Sequence, residues 1–250
     1  MLPTELLVDP AGRSGAANMA IDAGLLAEAA RTGRAFLRLY RFDPPCLSLG
    51  RNEAAAHYDR AAIAQRGLDV VRRPTGGRAV WHEYELTYAV AAPVAAFGSL
   101  RHAYYTIHER IAVALRSLGA DATLAPHQPP PSGRVDQPAS CFATPVGGEV
   151  LVAGRKLVGS AQVRKRRAFL QHGSILLDGS QEIVRVVSRL ASAVSGETTL
   201  SRVLRRRVRF DEVADAIVAA WGDEVTSPNL HQPPPTSTTV LSDLAPLGVA

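Results

Sequence analysis

Three features of this chain have residue types and settings that could do chemistry: Lys156, Cys141 and the glycine pair Gly76-Gly77. Of 28 basic residues only Lys156 and Lys165 are lysines, and both fall in one stretch, Gly154-Arg-Lys-Leu-Val-Gly-Ser-Ala-Gln-Val-Arg-Lys-Arg-Arg167. Arginine is a rigid, delocalised fork, whereas lysine is a compact ammonium that can approach a single oxygen. A codon preference for arginine accounts for the scarcity of lysine but not for its position. Small residues at 159–161 either keep one strand face clear for a ligand, with Lys156 pointing into that space, or mark a close backbone crossing.

Cys141 ends a polar loop in Pro138-Ala-Ser-Cys-Phe-Ala-Thr144. A thiolate is a strong nucleophile near neutral pH, and a nearby cation lowers its pKa. Lys156 is the candidate cation; the alternative is a half-buried cysteine with no chemical role. Cys46 sits in an apolar strand and reads as structural. In Arg72-Arg-Pro-Thr-Gly-Gly-Arg-Ala-Val-Trp-His-Glu83 a strand ends, two glycines follow and a second strand begins. Such a turn lets backbone N–H groups cradle a carbonyl or anion, or it is simply a tight hairpin. It lacks the Lys and Ser/Thr of a phosphate loop. His172, before Gly173, reads as a hydrogen-bonded structural histidine unless a ligand draws it in.

The elements that must position these residues follow from periodicity. Helices are predicted over Asn18–Ala30, Tyr58–Gln65, Tyr104–Leu118, Glu182–Ala191 and Phe210–Trp221. Strands are predicted over Ala35–Phe42 (with Arg38 and Arg41 toward water), Cys46–Gly50, Leu68–Arg72 and Leu86–Ala92. Three more, Glu149–Val152, Lys156–Val163 and Phe169–Leu177, read as an antiparallel meander. This order is not a strict βαβ alternation. It implies an α+β fold around a mostly antiparallel or mixed sheet flanked by helices. Residues 126–139 form a polar loop, residues 1–226 one folded domain, and residues 227–250 a Pro-rich, extended or poorly ordered tail.

The bulk properties bound the function. With 250 residues, 46% of them hydrophobic, the chain can bury a sizeable core. No apolar run reaches the length of a membrane span, the N-terminus lacks the pattern of a signal peptide, and two cysteines make no disulfide framework. A cytoplasmic protein with free thiols is expected. The net charge of +5 fits an acidic protein partner better than nucleic acid, for which no binding motif is present.

The run Arg73-Pro-Thr-Gly-Gly-Arg-Ala-Val-Trp-His-Glu resembles a signature of the lipoate-protein ligase, biotin-protein ligase and octanoyltransferase superfamily. Gly154-Arg-Lys-Leu-Val-Gly-Ser-Ala-Gln and Gln171-His-Gly-Ser-Ile-Leu-Leu are similar to its second and third signatures, in order and at the right spacing. Asn18-Met-Ala-Ile-Asp22 and Pro44-Pro-Cys-Leu-Ser-Leu-Gly50 resemble its N-terminal segments. The match covers about residues 15–222 and implies a biotin/lipoate-ligase-like catalytic domain. Arg78 stands where ligases carry a third glycine, and Glu83-Tyr-Glu-Leu-Thr-Tyr88 replaces their Asp-Gly-Asn-like turn. With Cys141-Phe142, these departures look like the cysteine-dependent octanoyltransferases. Thr144-Pro-Val-Gly-Gly148 replaces the aromatic-rich run of many relatives.

The resemblance implies transfer of octanoyl from acyl carrier protein to a lysine of a lipoyl-domain protein such as glycine-cleavage H protein, with no cofactor and no metal. Cys141 would carry the acyl group, and Lys156 would hydrogen-bond the thioester carbonyl. Arg73, Thr75, Gly76, Gly77, Arg78, Ala79, His82, Gly159, Ser160, Ala161, His172 and Gly173 would form the substrate site. Arg164, Arg166 and Arg167 would either meet an acidic carrier or form a solvated face. The competing functions are an ATP-dependent lipoate ligase, an amidotransferase between lipoyl domains and a non-catalytic acyl-carrier binding protein.

Overall fold

The structure, a computed structural model, describes residues 2–126, 142, 147–190 and 196–226. Cys141, most of the polar loop, Thr144 to Val146, the end of the helix expected at Ala191 and the Pro-rich tail lie outside the described residues.

In chain order the strands are β1 (Thr4–Arg13), β2 (Ala35–Phe42), β3 (Cys46–Leu49), β4 (Asp69–Arg72), β5 (Val80–His82), β6 (Glu85–Pro93), β7 (Ala122–Leu124), β8 (Val150–Val152), β9 (Arg155–Lys156), β10 (Val158–Lys165), β11 (Ala168–Leu176) and β12 (Val225–Thr226). The α-helices are α1 (Gly15–Thr32), α2 (Arg60–Gln65), α3 (Leu100–Ser117), α4 (Glu182–Val187), α5 (Leu200–Leu204) and α6 (Phe210–Trp221). The chain is α+β around a mixed sheet, in line with the order of elements read from the sequence. Strand β1 and helix α5 have no clear periodic signal. Strand β1 is half-exposed over most of its length, and α5 is five residues long.

The main sheet runs β10-β11-β6-β2-β1-β12. Strand β1 is parallel to β2 and β12, and the other pairs are antiparallel. Helix α1 makes the crossover between the parallel strands β1 and β2. Its N-terminus is capped by the Ser14 hydroxyl, which accepts from the Ala17 amide, and it ends at Gly33 in the left-handed conformation (φ 77°). A small sheet, β4-β3-β5, and an antiparallel sheet, β7-β8-β9, complete the fold. The expected meander is therefore divided: β10 and β11 pair as a hairpin in the main sheet, while β8 belongs to another sheet. The division occurs at Leu157, whose amide bonds the Val150 carbonyl.

Strand alternation gives the main sheet two faces. On one, Leu37, Leu39, Leu86, Tyr88, Val90, Phe169 and Ile175 pack with α3 and α6. On the other, Phe36, Tyr40, Ala89, Ala91, Ala168 and Leu170 pack with α1. Arg38 lies on this second face, 2% exposed, which corrects the expectation that it faces water with Arg41. Residues three apart on a strand point to opposite faces, and only Arg41 is exposed.

Within the first face His108 on α3 is fully buried. Its Nδ1 meets the Gly148 carbonyl at 2.7 Å and its Nε2 meets Ser160 Oγ at 2.8 Å. A carbonyl only accepts, so Nδ1 holds the proton and Nε2 accepts from a hydroxyl. Burial, aided by the Lys156 charge, pushes the His108 pKa down to about 3. Gly173 on β11 is needed by packing. A Cβ there would run into Ser160 Oγ and stand 2.8 Å from the Gly159 carbonyl oxygen and the Tyr88 ring.

Two expectations follow. Gly173→Ala should cost about 1–3 kcal/mol by overpacking, read as a lower thermal midpoint with unchanged far-UV circular dichroism. His108 stays neutral when folded and takes a proton near pH 6.5 when unfolded, so its contribution to stability is complete above pH 6.5 and is lost as pH falls toward 3. Between pH 6.5 and 5 the loss should be about 2 kcal/mol. His172, also held low by burial, adds in the same direction. Denaturant midpoints measured across this range should slope less steeply in His108→Gln.

Candidate functional site

Between the second face of the main sheet and the small sheet lies a narrow cleft, about 350 Å³ when the solvent at its open side is counted. Its apolar wall is Met19 of α1, Tyr40 and Phe42 of β2, Val80 of β5 and Ala161 of β10. Its polar lining includes Arg73, Ser48, His82, Thr87, His172 and Ser174. Of the residues singled out in the sequence, Arg73, His82, Gly159, Ser160, Ala161, His172 and Gly173 line the cleft. Thr75 touches His172 from behind.

Arg73 holds the glycine loop from inside. Its guanidinium donates to the carbonyls of Gly76 (2.8 Å) and Arg78 (2.6 Å) and to the Ser48 carbonyl and hydroxyl (3.0 and 3.2 Å). Gly77 has φ 90°, and a Cβ on it would stand 2.9 Å from Arg73 Nη2, so this turn requires glycine. Arg78 turns away from the cleft toward Glu53, 3.9 Å distant. Ala79 packs in a separate apolar cluster with Leu47, Leu49, Tyr58 and Trp81.

Two imidazoles face the cleft in the same arrangement. His82 sets Nδ1 2.9 Å from both Glu85 carboxylate oxygens and Nε2 2.7 Å from Ser48 Oγ. His172 sets Nδ1 2.9 Å from Asp22 Oδ2 and Nε2 2.6 Å from Thr75 Oγ1. The carboxylates assign the proton to Nδ1 in each ring, leaving Nε2 to accept from a hydroxyl. Such a chain can pass a proton from the hydroxyl through the ring edge without moving the ring.

Asp22 ties His172 to the rest of the site. It also takes Arg38 Nη1 at 3.0 Å and the Tyr40 hydroxyl at 2.8 Å. Burial alone would raise its pKa, but the His172 hydrogen bond and the Arg38 charge outweigh it and hold the carboxyl below its ordinary value. Burial and the Asp22 charge keep the Tyr40 phenol protonated. Sequence reading missed Asp22, Tyr40, Ser48, Glu85 and Ser174 as site residues. Asp22 and Ser48 lie within the N-terminal segments that carry the resemblance, which was the available signal.

Lys156 is placed by a two-residue hairpin turn, Ala153-Gly154, with φ 49° and 72°. It is 1% exposed, and its Nζ lies 2.7 Å from Glu149 Oε1. It does not line the cleft directly. Phe142 stands between them, with Lys156 Nζ 5.5 Å from its ring centroid. The same ring fills the space over Gly159, where a Cβ would stand 2.8 Å from two ring carbons, and packs with Val80 and Leu176. The small residue at 159 is thus required by Phe142, the residue that follows Cys141 in the sequence. Cys46 is fully buried, and burial together with Asp69 pushes its thiol pKa up, so it has no nucleophilic role. Among the described residues no cluster of three or more His, Cys, Asp or Glu is arranged to hold a metal ion.

Comparison with known proteins sets this site in a family. Residues 14–222 match the model of the lipoyl protein ligase A/B catalytic domain. The octanoyltransferase LipM of Kyrpidia tusciae is 44% identical over 188 residues, 72% of this chain and 68% of that protein. LipM of Moorella thermoacetica is 38% identical over 82% of this chain and 80% of its own length. LipM of Bacillus subtilis is 33% identical over 91% and 87%. Among solved structures, lipoate-protein ligase A bound with ATP superposes with a TM-score of 0.73 at 21% identity, covering 91% of this chain and 87% of that one. The bipartite lipoate protein ligase of Thermoplasma acidophilum gives 0.63 at 21% identity, over 91% and 86%. At that identity the likeness is one of fold. Every residue that lines the cleft lies within the matched residues, and this chain belongs to the lipoyl protein ligase A/B catalytic domain family.

Proposed function

We propose that this chain is an octanoyltransferase that moves the acyl group through a thioester on Cys141 to a lysine of a lipoyl-domain protein. The octanoyltransferases at 33–44% identity support the activity. The observation that carries the covalent route is the position of Phe142, buried between the Lys156 ammonium and the cleft wall at Gly159 and Val80. Cys141 is its neighbour in sequence.

In the first step the Cys141 thiolate attacks the donor thioester carbon, and the carrier thiol leaves. In the second, the neutral acceptor lysine amine attacks the enzyme thioester, Cys141 leaves as thiolate, and the nitrogen releases its surplus proton to water. The positive charge of Lys156 favours that thiolate. An acyl tail of about seven methylenes, buried against Met19, Tyr40, Phe42 and Val80, gains at most about 6 kcal/mol. His82 and His172 face the cleft with hydroxyl-bound Nε2 atoms, and Arg73, which also lines it, holds the carbonyls of Gly76 and Arg78.

The donor is an octanoyl group on an acidic carrier protein. Arg164, Lys165, Arg166 and Arg167 form an exposed tip on the β10–β11 hairpin, the strands that supply Gly159, Ala161, His172 and Ser174. Thiolate chemistry fits a reducing compartment, and we place the reaction in the cytoplasm. Among the described residues no helix is long and apolar enough to cross a membrane. The reaction as written uses neither a cofactor nor nucleic acid.

Intact-mass spectrometry after incubation with octanoyl-carrier should show one octanoyl adduct without ATP, and none in Cys141→Ala. An adduct that persists in that variant refutes the nucleophile, and product formed only from free octanoate with ATP indicates a ligase. Reversing Arg164 and Arg166 to Glu should raise KM for the carrier-borne donor by about tenfold, while a small octanoyl thioester reacts as before. Equal loss with both donors would remove the hairpin from carrier docking.

A further inference from the structure

Ser174 differs from every other hydroxyl of the cleft. Its residue is 1% exposed and lines the cleft, yet its Oγ has no hydrogen-bond partner among the described residues. The others are committed. Ser48 bonds His82 and Arg73, Thr87 donates to Glu85, Tyr40 donates to Asp22, and Ser160 bonds Tyr88 and His108. A buried hydroxyl left unpaired costs stability, and the few found in native proteins call for an explanation.

Its place in the sheet says what it awaits. Ser174 on β11 stands opposite Gly159 on β10 and Thr87 on β6. Opposite residues share a face, and Gly159 is the position whose side-chain space is filled by the Phe142 ring. The unpaired hydroxyl therefore lies at the Phe142 end of the cleft, where the reading above puts the thioester. An octanoyl thioester carries one strong hydrogen-bond acceptor, its carbonyl oxygen; the tail carries none.

The geometry points to Ser174 Oγ as a donor to the acyl carbonyl oxygen, an assignment that rests on the covalent octanoyl-transfer reading. When sulfur adds to the carbonyl carbon, the C=O π electrons move onto oxygen, and the Ser174 hydrogen bond strengthens with that charge. The oxyanion then collapses and expels the carrier thiolate, which takes a proton from water. Ser174 keeps its own proton throughout. The same donor serves the second step, in which Cys141 is the leaving group.

The test is single-turnover acylation of the full chain by octanoyl-carrier, quenched and read by intact mass, in the unaltered protein and in Ser174→Ala. Acylation should slow by about 100-fold or more, with the donor's KM within about threefold. The thermal midpoint should hold or rise, because the substitution removes a buried hydroxyl that has no partner. An acylation rate equal to that of the unaltered chain overturns the assignment while leaving the octanoyl-transfer reading intact. A slower rate accompanied by a midpoint several degrees lower also overturns it, since the residue would then be structural. No adduct in the unaltered chain defeats the covalent reading, and the Ser174 assignment with it.

Discussion

The buried carboxylate of Asp22 holds together parts of the chain that are distant in sequence. It joins α1, on which it sits, to β2 through Arg38 and Tyr40 and to β11 through His172, and His172 passes the link to Thr75 in the glycine loop. A charge with no water around it is tolerated only when it is paired and hydrogen-bonded. Asp22 meets that demand with three side chains that each border or back the cleft. The position of α1 over the sheet, the direction of the His172 ring and the seat of the glycine loop are therefore set together. Arg73 does the same from the other side by fastening the loop's carbonyls to Ser48.

This coupling explains what the sequence made legible. Periodicity located α1, β2, β6, α3 and α6 because each buries a continuous apolar stripe or alternates cleanly. The Gly76-Gly77, Lys156 and His172 segments stood out by composition and resemblance. The polar network did not, because Asp22, Arg38 and Tyr40 acquire their roles only when β2 and α1 face each other. Arg38 and Arg41 share a charge but not a face, because strand alternation sets their sides and only a buried carboxylate partner explains Arg38. The assignment of β8 to the meander failed because a spacing of a few residues cannot reveal that the chain leaves one sheet for another at Leu157.

Lys156 shows how structure changes the setting of a residue that the sequence singled out. An isolated ammonium in a cleft would be a mobile donor. Here it is paired with Glu149 behind Phe142, so it acts as a fixed charge beside the cleft wall. Gly159 has likewise acquired a different reason from the one composition suggested: it makes room for an aromatic ring of the protein itself. The sheet alternation that buries Phe169 and Ile175 on one face delivers Gly159, Ala161, His172 and Ser174 to the other, so core and cleft are specified by the same two strands.

Strand β12 is two residues long and pairs in parallel with the start of β1, Thr4 with Val225 and Glu5 with Thr226. The border of the main sheet is thus closed by residues more than two hundred positions downstream of the strand they cover. During ribosomal synthesis, which proceeds from the N-terminus, β1 and β2 can pair early, but the outer side of β1 stays unclosed until nearly all of the matched domain has emerged. An uncovered strand edge is a template for pairing with other chains. The two-residue strand covers only Thr4 and Glu5, so that short stretch of the edge is paired last.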